Sequence, residues 1–398
     1  MDVSESLANL REEVDSPDLT NILYELEEYY DRKLWHQLTL SLTELFENES
    51  SKENDFRKKI YNSLISQLVQ SLNPIKIVDF LLESYEDKDE CLDKLLELKS
   101  QFVKNLESTY TRRTDELDSM INNDEAIVYI NLQISRFYLI SNQLEKADDI
   151  LDSLNSKFEG TVNNDYNTKI NSAFYLAKCQ LYKIQANYNL YYLNGLLYLS
   201  TIDHEKLSIE EQQKICYDLC ISALLGDKIY NFGELILHDI LNTIKDSPYD
   251  WLYHLIISLN SGKLQEFKKW LSVGFQKSPF LAQYELFLKQ KIIIMSLLEL
   301  ISLKPTTNKQ LTFKEISEFT DTSLNEVEHL IIKCFSLNLI QGSINQIDEI
   351  LTVTWLQPRI LNLDQVKTLH AHLNTWNAQV EKLSKEVFNN GHTLWASS

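Results

Sequence analysis

Two histidines near the C-terminal end, His370 and His372, form the one His-x-His pair of the chain. Such a pair could serve a metal-dependent isopeptidase if both rings reached one ion together with a further ligand such as Asp. No Asp follows Asp364, however. On a helix, side chains two residues apart also point about 200° away from each other. The pair therefore predicts surface histidines rather than a metal site.

Paired carboxylates could act as general acid and base if their surroundings separated their pKa values. Such pairs occur at Glu27-Glu28, Asp148-Asp149 and Glu210-Glu211, where no surrounding pattern indicates a pocket. We interpret them as solvated helix faces. The eight glycines are dispersed, and none of the motifs GxGxxG, GxxxxGK[ST], GxSxG or HExxH occurs. We therefore predict a protein that is not an enzyme and that needs no cofactor or metal.

The five cysteines are scattered, and no CxxC pair joins them to a nearby histidine. They are Cys91, Cys179, Cys216, Cys220 and Cys334. Mostly apolar neighbours predict buried, reduced thiols, with Cys216 and Cys220 on one helix face. No apolar run approaches the roughly 18–20 residues of a membrane span, and the acidic stretch Met1–Glu13 lacks an apolar signal core. We expect the cytoplasm and the nucleus as locations.

The composition indicates a long-element, helical protein with an acidic surface. Only 8 Gly and 6 Pro occur among 398 residues, so tight turns are few. The formal net charge of −20 disfavours nucleic acid, whose affinity comes mainly from Lys and Arg at phosphates. It disfavours anionic membrane surfaces for the same reason.

Helix starts are marked by capping side chains before proline and by the spacing of capping boxes. The first kind occurs at Ser16-Pro17, Asn73-Pro74, Ser247-Pro248 and Ser278-Pro279, the second at Ser208–Glu211, Thr312–Glu315 and Ser323–Glu326. Helical periodicity covers Asp18–Phe46 and Ile60–Phe102. The polar stretch Leu106–Glu125 is the best candidate for a linker, and Gly160–Asp165 is a second weak point.

Four segments in the middle of the chain have the pattern helix, turn, helix. They are Arg136–Leu154 with a turn near Asn142, Ala173–Leu199 near Asn187, Ile215–Leu241 near Asp227–Asn231, and Trp251–Leu271 near Ser261-Gly262. The turns recur about every 34 to 45 residues, which is the period of helix-pair solenoids. One pair cannot bury its apolar face alone, so we predict stacked pairs that end at Pro305–Gln310.

The stretch Leu311–Trp355 predicts a winged helix, that is, two short helices and a β-hairpin. The helices are Phe313–Phe319, with Phe313, Ile316 and Phe319 inward, and Leu324–Leu337, with Leu324, Val327, Leu330, Ile331 and Cys334 inward. The strands are Leu339–Ile344 and Ile350–Trp355, around the turn Asn345–Glu349.

The charge of this module argues against DNA binding. Between Lys309 and Gln357 there are three Lys, no Arg and seven acidic residues, a net charge of −4. Its second helix carries Glu326, Glu328 and a single Lys333 where a DNA reader would be basic. We predict a winged helix for protein assembly, whose hairpin edge can add a neighbour's strand.

From Leu363 to Phe388 the apolar residues follow the 3,4 spacing of a coiled-coil seam. The seam consists of Val366, Leu369, Leu373, Trp376, Val380, Leu383 and Val387. Asn362 and Gln365 have cap spacing at its start. Such a helix needs a partner, which is either the body of its own chain or a bundle of helices from other chains.

Four stretches carry a resemblance to a known family. They are Tyr217–Leu237 (YDLCISALLGDKIYNFGELIL), Asp250–Phe267 (DWLYHLIISLNSGKLQEF), Gly342–Gln346 (GSINQ) and Val353–Leu361 (VTWLQPRIL). These stretches, and helical repeats running into a winged helix, resemble the PCI-domain subunits of the proteasome lid. The resemblance covers nearly the whole chain and is most specific from about residue 215 onward.

The fold class that follows is an all-α solenoid of TPR-like helix pairs, a winged-helix (PCI) module with a small β-hairpin, and a long C-terminal helix. We divide the chain into an N-terminal helical region (1–125), a helical-repeat solenoid (126–305), a winged helix (306–357, forming the PCI module with roughly 180–305), and a C-terminal bundle helix and tail (358–398).

The resemblance implies a non-catalytic scaffold subunit of the 26S proteasome regulatory-particle lid, which supports lid assembly and ubiquitin-dependent protein degradation. It implies as partners the other PCI subunits, the MPN-type subunits including the deubiquitylase, and the ubiquitin-receptor subunit. Nucleic acid and membranes are not expected partners. The predicted interface residues are Ile340, Ile344, Val353, Trp355, Val366, Leu369, Leu373, Trp376, Val380 and Leu383.

Other functions remain open at the level of sequence. Within the fold, the chain could be a PCI subunit of the signalosome or of a translation-initiation factor. From another class, it could be a PCI-type adaptor that binds nucleic acid, although the acidic winged helix argues against this. An enzyme is the third class, and no residues in the sequence support it.

Overall fold

The computed structural model describes residues 3–12, 16–109, 123–160, 166–202, 207–245, 247–304, 309–360 and 363–391. The predicted linker Leu106–Glu125, the weak point Gly160–Asp165 and the solenoid end Pro305–Gln310 lie largely outside these residues. The predicted cap Asn362 also lies outside them.

The chain folds into two compact units, Met1–Ala186 with Leu197–Ile202, and Asn187–Leu196 with Asp203–Ser398. The helices up to this division are α1 (Val3–Glu12), α2 (Pro17–Asp31), α3 (Trp35–Glu47), α4 (Phe56–Ser63), α5 (Pro74–Ser84), α6 (Lys88–Thr109), α7 (Glu125–Ile140), α8 (Leu144–Gly160), α9 (Thr168–Ile184) and α10 (Tyr188–Thr201). The division falls within α10, so each unit contains part of that helix.

The first unit forms as its local signals predict. Ser16 Oγ accepts a hydrogen bond from the Leu19 N–H (3.3 Å), and Asn73 Oδ1 accepts one from the Ile75 N–H (3.1 Å), which confirms both proline-linked caps. The predicted turn at Asn142 separates α7 from α8, with Asn142 in the left-handed region at φ 56°. Helix α7 packs against α6, α8 and α9, so it is buried on several sides.

The helices of the second unit that precede its sheet are α11 (Ile209–Leu225), α12 (Gly233–Leu237), α13 (Asp250–Asn260), α14 (Leu264–Lys277), α15 (Pro279–Ala282) and α16 (Glu285–Leu303). The capping box Ser208–Glu211 is formed at the start of α11, as predicted. The predicted turn at Ser261-Gly262 is also confirmed. Gly262 has φ +65°, and a Cβ there would lie 3.0 Å from the Ser296 Cα, so a larger residue would be strained at this turn.

Two local predictions in this unit are wrong. The helix expected after the turn at Asp227–Asn231 is broken into α12 and a 3₁₀ segment, Asp239–Ile244. The break lies at His238, whose backbone is extended and whose Nδ1 accepts the Ile240 N–H (3.3 Å), so it caps the second piece instead of continuing the first. Ser247-Pro248 does not cap α13 either, because Ser247 Oγ accepts the Tyr249 N–H in a turn that precedes the helix.

One further proline-linked cap and one capping box that the sequence predicts are not formed. Ser278 precedes α15, but its side chain makes no capping hydrogen bond to this single turn. Ser323 precedes α18 (Leu324–Ser336) without a side-chain cap, although its carbonyl oxygen accepts the Glu326 N–H (2.9 Å). Both helices therefore start where predicted, but without the predicted side-chain cap.

A lysine is buried in the core of the second unit. Lys291 in α16 is 1% exposed, and its Nζ donates to the carbonyl oxygens of Ala223 (2.7 Å), Leu224 (3.1 Å) and Gly226 (2.6 Å). These carbonyls lie at the C-terminal end of α11, where helical partners run out. Burial lowers the pKa of the Lys291 amine to about 7, and the charge of Asp227 acts in the opposite direction.

The winged helix consists of β1 (Gln310–Thr312), α17 (Phe313–Thr320), α18, β2 (Ile340–Asn345) and β3 (Ile350–Leu356). The sheet is antiparallel with the order β1-β3-β2, which confirms the hairpin and adds a strand that the sequence pattern did not predict. The capping box Thr312–Glu315 is formed. A bulge lies between Gln341 and Gly342, where a Cβ on Gly342 would collide with the Thr352 carbonyl oxygen.

Two residues predicted to face inward are exposed. Phe319 is 40% exposed, since the third inward position of α17 belongs to Thr320, which lies almost in line with Phe313 and Ile316 at 100° per residue. Leu324, the first residue of α18, is 45% exposed. Val327, Ile331 and Cys334 are buried as predicted, and Leu330 is half-buried.

Candidate assembly surfaces

Among the described residues, the cysteines are buried and the histidine pair of the C-terminal helix is exposed. All five cysteines are free and buried, as predicted, and burial raises the pKa of Cys91 to about 11 and that of Cys334 to about 12. Cys216 and Cys220 share a face, with their sulfur atoms 4.0 Å apart. His370 and His372 are exposed on the C-terminal helix.

Metal sites and membrane spans are absent from the part of the chain that the structure describes. Among its residues, no three His, Cys, Asp or Glu side chains come together in a way that could hold a metal ion. No helix built from these residues is both long and apolar enough to cross a membrane.

The last helix, α19 (Leu363–Gly391), confirms the predicted long C-terminal helix. Its 29 residues span about 43 Å at 1.5 Å per residue. The seam residues share one stripe, and their side chains are 45 to 64% exposed. They are Val366, Leu369, Leu373, Trp376, Val380, Leu383 and Val387.

No other described part of the second unit covers this seam, because every described side chain from Leu369 to Asn389 is exposed. The flank of the helix carries pairs typical of a solvated face, such as Lys385 Nζ to Glu381 Oε1 at 2.7 Å. The structure thus shows α19 apart from the body of its own unit, as one of the two sequence alternatives requires. An exposed apolar stripe of this length marks a contact surface.

The four predicted interface residues in the winged helix differ in their positions. Ile340 and Val353 are 1% and 5% exposed, so their side chains lie in the core of the module. Ile344 is half-buried, and Trp355 is 40% exposed. Strand β2, which carries Ile340 and Ile344, is an edge strand, whereas β3 is central and paired on both sides. Of the two hairpin strands, only β2 can therefore offer its backbone to a further strand.

The surface of the winged helix has the acidic character expected from the sequence. Glu326 is exposed and Glu328 is half-buried on α18. Lys333 lies on the same helix, but its Nζ donates to Gln290 Oε1 (2.8 Å) of α16. The single lysine of α18 is thus directed toward α16 of the same unit. The remaining acidic residues of the module oppose contact with phosphates.

Sequence reasoning missed a group of exposed apolar side chains on this module. Ile347 at the hairpin turn is 94% exposed, Ile332 on α18 is 49% exposed, and Leu324 is exposed as well. One signal could have indicated this group, since an isoleucine in a hairpin turn replaces the polar or glycine residue that turns prefer.

Comparisons with known proteins agree with an architecture of helical repeats followed by a winged helix. A family described as PSD13 N-terminal repeats matches residues 22–256, and one described as PCI domain matches residues 268–355. The chain is 39% identical over 394 residues to the 26S proteasome regulatory subunit RPN9 of Saccharomyces cerevisiae, covering 98% of this chain and 97% of that protein.

Two further relatives show how far the similarity extends along the chain. The probable 26S proteasome regulatory subunit rpn9 of Schizosaccharomyces pombe is 34% identical over 91% of this chain and 90% of its own. By contrast, the COP9 signalosome complex subunit 7 of Dictyostelium discoideum is 24% identical over 42% of this chain and 60% of its own. The similarity to proteasome subunits covers the whole architecture, while that to the signalosome subunit covers less than half of it. The chain belongs to the family of PCI-domain 26S proteasome regulatory subunits that includes RPN9.

Proposed function

We propose that this chain is a non-catalytic structural subunit of the 26S proteasome regulatory-particle lid, which supports lid assembly and thereby ubiquitin-dependent protein degradation. The observation that carries the proposal is the uncovered apolar seam of α19 on a chain whose near-full-length relatives are named as proteasome regulatory subunits. A subunit of this kind acts through the surfaces that it presents, so its function is geometric.

The seam of α19 is the main assembly surface in this proposal. Seven apolar side chains on one stripe fit a helical bundle, in which each one enters a hole between residues of a neighbouring helix. Full burial of such a side chain contributes roughly 1.5–3 kcal/mol. The seam can therefore supply much of the free energy that keeps the chain in a particle, after the cost of ordering has been offset.

The winged helix supplies a second surface through the edge strand β2. Its outer backbone N–H and C=O groups can pair with a strand or hairpin of a neighbouring PCI subunit. Ile340 and Ile344 would contribute by holding β2 in place, and Trp355 by direct contact, since its indole is partly exposed. Val353 would act only through the core beneath the sheet.

The proposed partners are the other PCI subunits, the MPN-type subunits including the deubiquitylase, and the ubiquitin-receptor subunit, in the cytoplasm and the nucleus. The proposal keeps the functional division into an N-terminal helical region (1–125), a solenoid (126–305), a winged helix (306–357) and a bundle helix with its tail (358–398). What supports the last two parts is that each carries one of the two assembly surfaces, the β2 edge and the α19 seam.

The test is incorporation of seam variants into particles purified through a tag on this chain and analysed by native mass spectrometry. We expect the double variant Leu373→Asp, Val380→Asp to be lost from the particle, because two carboxylates enter the bundle core. Ala371→Asp with Ala378→Asp is the matched control, with the same spacing on the opposite, exposed face of α19.

Two results would contradict the proposal. Normal incorporation of the seam variant would exclude the bundle role of α19. Recovery of the unaltered chain alone, or with nucleic acid, would exclude a lid subunit altogether.

A further inference from the structure

The tip of the β2–β3 hairpin is a rigid turn that presents an isoleucine to solvent. Asn345 Oδ1 accepts hydrogen bonds from the N–H groups of Ile347 (3.2 Å) and Asp348 (3.3 Å). Asn345 Nδ2 donates in turn to Asp348 Oδ2 (2.7 Å). Glu349 closes the turn in the left-handed region, at φ 53°. The turn is therefore ordered before any partner binds, and Ile347 at its apex is 94% exposed.

The tip is tied to helix α18. Gln346 Nε2 donates to Glu328 Oε2 (3.2 Å), at the middle of one flank of α18. Leu324 and Ile332 lie one turn before and one turn after Glu328 on the same flank, and they are 45% and 49% exposed. Single exposed apolar residues are common, but three on one rigid surface are a feature of binding sites. We name this surface, Leu324, Glu328, Ile332 and Ile347, the wing–helix face.

The charges around this face are negative. Glu328 lies within it, and Asp348 and Glu349 follow Ile347 at the turn. Lys333, the one lysine of α18, is directed to Gln290 of α16 and does not offset them. The same face of a winged helix would enter a DNA groove in a DNA reader, but phosphates would be repelled here. The complementary surface is a protein segment that carries an apolar side chain with Lys or Arg beside it.

We propose that the wing–helix face docks a protein segment with an aliphatic or aromatic side chain flanked by Lys or Arg. The apolar side chain packs against Ile347, and the aliphatic stems of the neighbouring Lys or Arg side chains lie along Leu324 and Ile332, which are two helical turns apart. The basic groups pair with Glu328 and with the carboxylates of Asp348 and Glu349. The pre-ordered turn lowers the entropic cost of binding, since Ile347 is already held in place. This face is separate from the α19 seam and from the β2 edge, so it adds a third contact surface.

The experiment places a photoreactive phenylalanine at position 347 of the tagged full-length chain in cells. The complex that contains the chain is purified and irradiated, and the attached peptide is sequenced by mass spectrometry. We expect one protein segment that carries an apolar residue with Lys or Arg within a few positions. Attachment to an acidic segment, attachment to nucleic acid, or no attachment to another molecule would overturn the proposal.

Binding measurements with a synthetic peptide of the attached segment then test the residues of the face. Ile347→Asp is expected to weaken the affinity for the full-length chain at least about tenfold, because the apolar contact is lost and a carboxylate is desolvated against the partner's apolar side chain. Asp348→Lys is expected to weaken it by a smaller factor and to reduce its salt dependence. Equal affinity of wild type and Ile347→Asp would overturn the proposal.

Leu286→Asp is the matched control, because Leu286 is 78% exposed at the start of α16 and lies outside the face. We expect it to leave the affinity unchanged, and an equal loss in both variants would show a nonspecific effect and overturn the proposal. Ile347 and Leu286 are both mostly exposed, so neither substitution disturbs the core. The outcome does not depend on the proposed function, since the photoreactive chain reports its neighbour in whatever complex it enters.

Discussion

Helices α16 and α19 are both rich in apolar residues, yet the second unit buries one and exposes the other. Along α16 the apolar positions Leu288, Ile292 and Met295 are at most 2% exposed, and even Lys291 is buried. Along α19, Trp376 is 64% exposed. Helix α16 contacts α11, α13, α14, α17 and β3, which surround it. The difference therefore lies in the neighbours of each helix and not in its apolar content.

This comparison shows how an assembly subunit differs from a self-contained domain. The apolar face of α16 is covered by other elements of the same chain. Even the Lys291 amine is enclosed there, by three carbonyl oxygens and the rings of Tyr230, Phe232 and Phe287. The face of α19 has the seam pattern, but no described helix of its unit completes it. Three predictions test this contrast.

The largest effect is expected for Lys291→Ala. The substitution leaves the carbonyl groups of Ala223, Leu224 and Gly226 without their donor and opens a cavity, so the free energy of unfolding should fall by about 3–5 kcal/mol. Urea denaturation of the isolated chain measures it. Lys289→Ala, two residues away and paired with Glu285 at the surface, is the control and should cost less than about 0.5 kcal/mol. Similar losses of stability in both variants would contradict the contrast between the buried and the exposed faces.

An effect that is intermediate per pH unit is expected from the titration of Lys291. The Lys291 pKa is lowered to about 7 in the folded chain, compared with about 10.4 when unfolded. Between these values the unfolded state binds more protons, so the stability should rise with pH by up to about 1.4 kcal/mol per unit. Unfolding of wild type against Lys291→Met from pH 6 to about 10 isolates this contribution. A constant difference would show that the three carbonyl oxygens keep the amine charged.

The smallest effect is expected for Leu373→Ala in the isolated chain. The side chain is 52% exposed and both residues favour helix, so the free energy of unfolding should change by less than about 0.5 kcal/mol. Leu288→Ala in α16, where the leucine is fully buried, should cost about 2–5 kcal/mol. A large loss from Leu373→Ala would mean that α19 is covered in solution, and it would remove the contrast with α16.

Much of the fold could be predicted because its signals are local. The caps at Ser16 and Asn73, the boxes at Ser208 and Thr312, and the turns at Asn142 and Gly262 depend on residues within a few positions of one another. The hairpin and the seam depend on periods of 2 and 3.5 residues, which the chain shows directly. The family resemblance followed from longer stretches of the same sequence, and the comparisons confirm it.

Where prediction failed, distant residues decided. The break at His238 and the turn at Ser247 are exceptions, because each involves a hydrogen bond from a backbone N–H only two residues further on. Strand β1 has three residues, and it exists because β3 pairs with it from about 40 positions further along the chain. The inward position of Thr320 in place of Phe319 reflects which side of α17 the core happens to cover.

The sequence by itself determined the helical class, the positions of most elements, the acidic winged helix and the seam, because these follow from composition, spacing and charge along the chain. Only the tertiary structure decided which faces are covered. It placed Lys291 among carbonyl groups 65 to 68 residues away in the sequence, left α19 bare, and brought the hairpin tip to Glu328. The physical reason is that burial is a property of neighbours in space, and periodicity records only that a face is apolar.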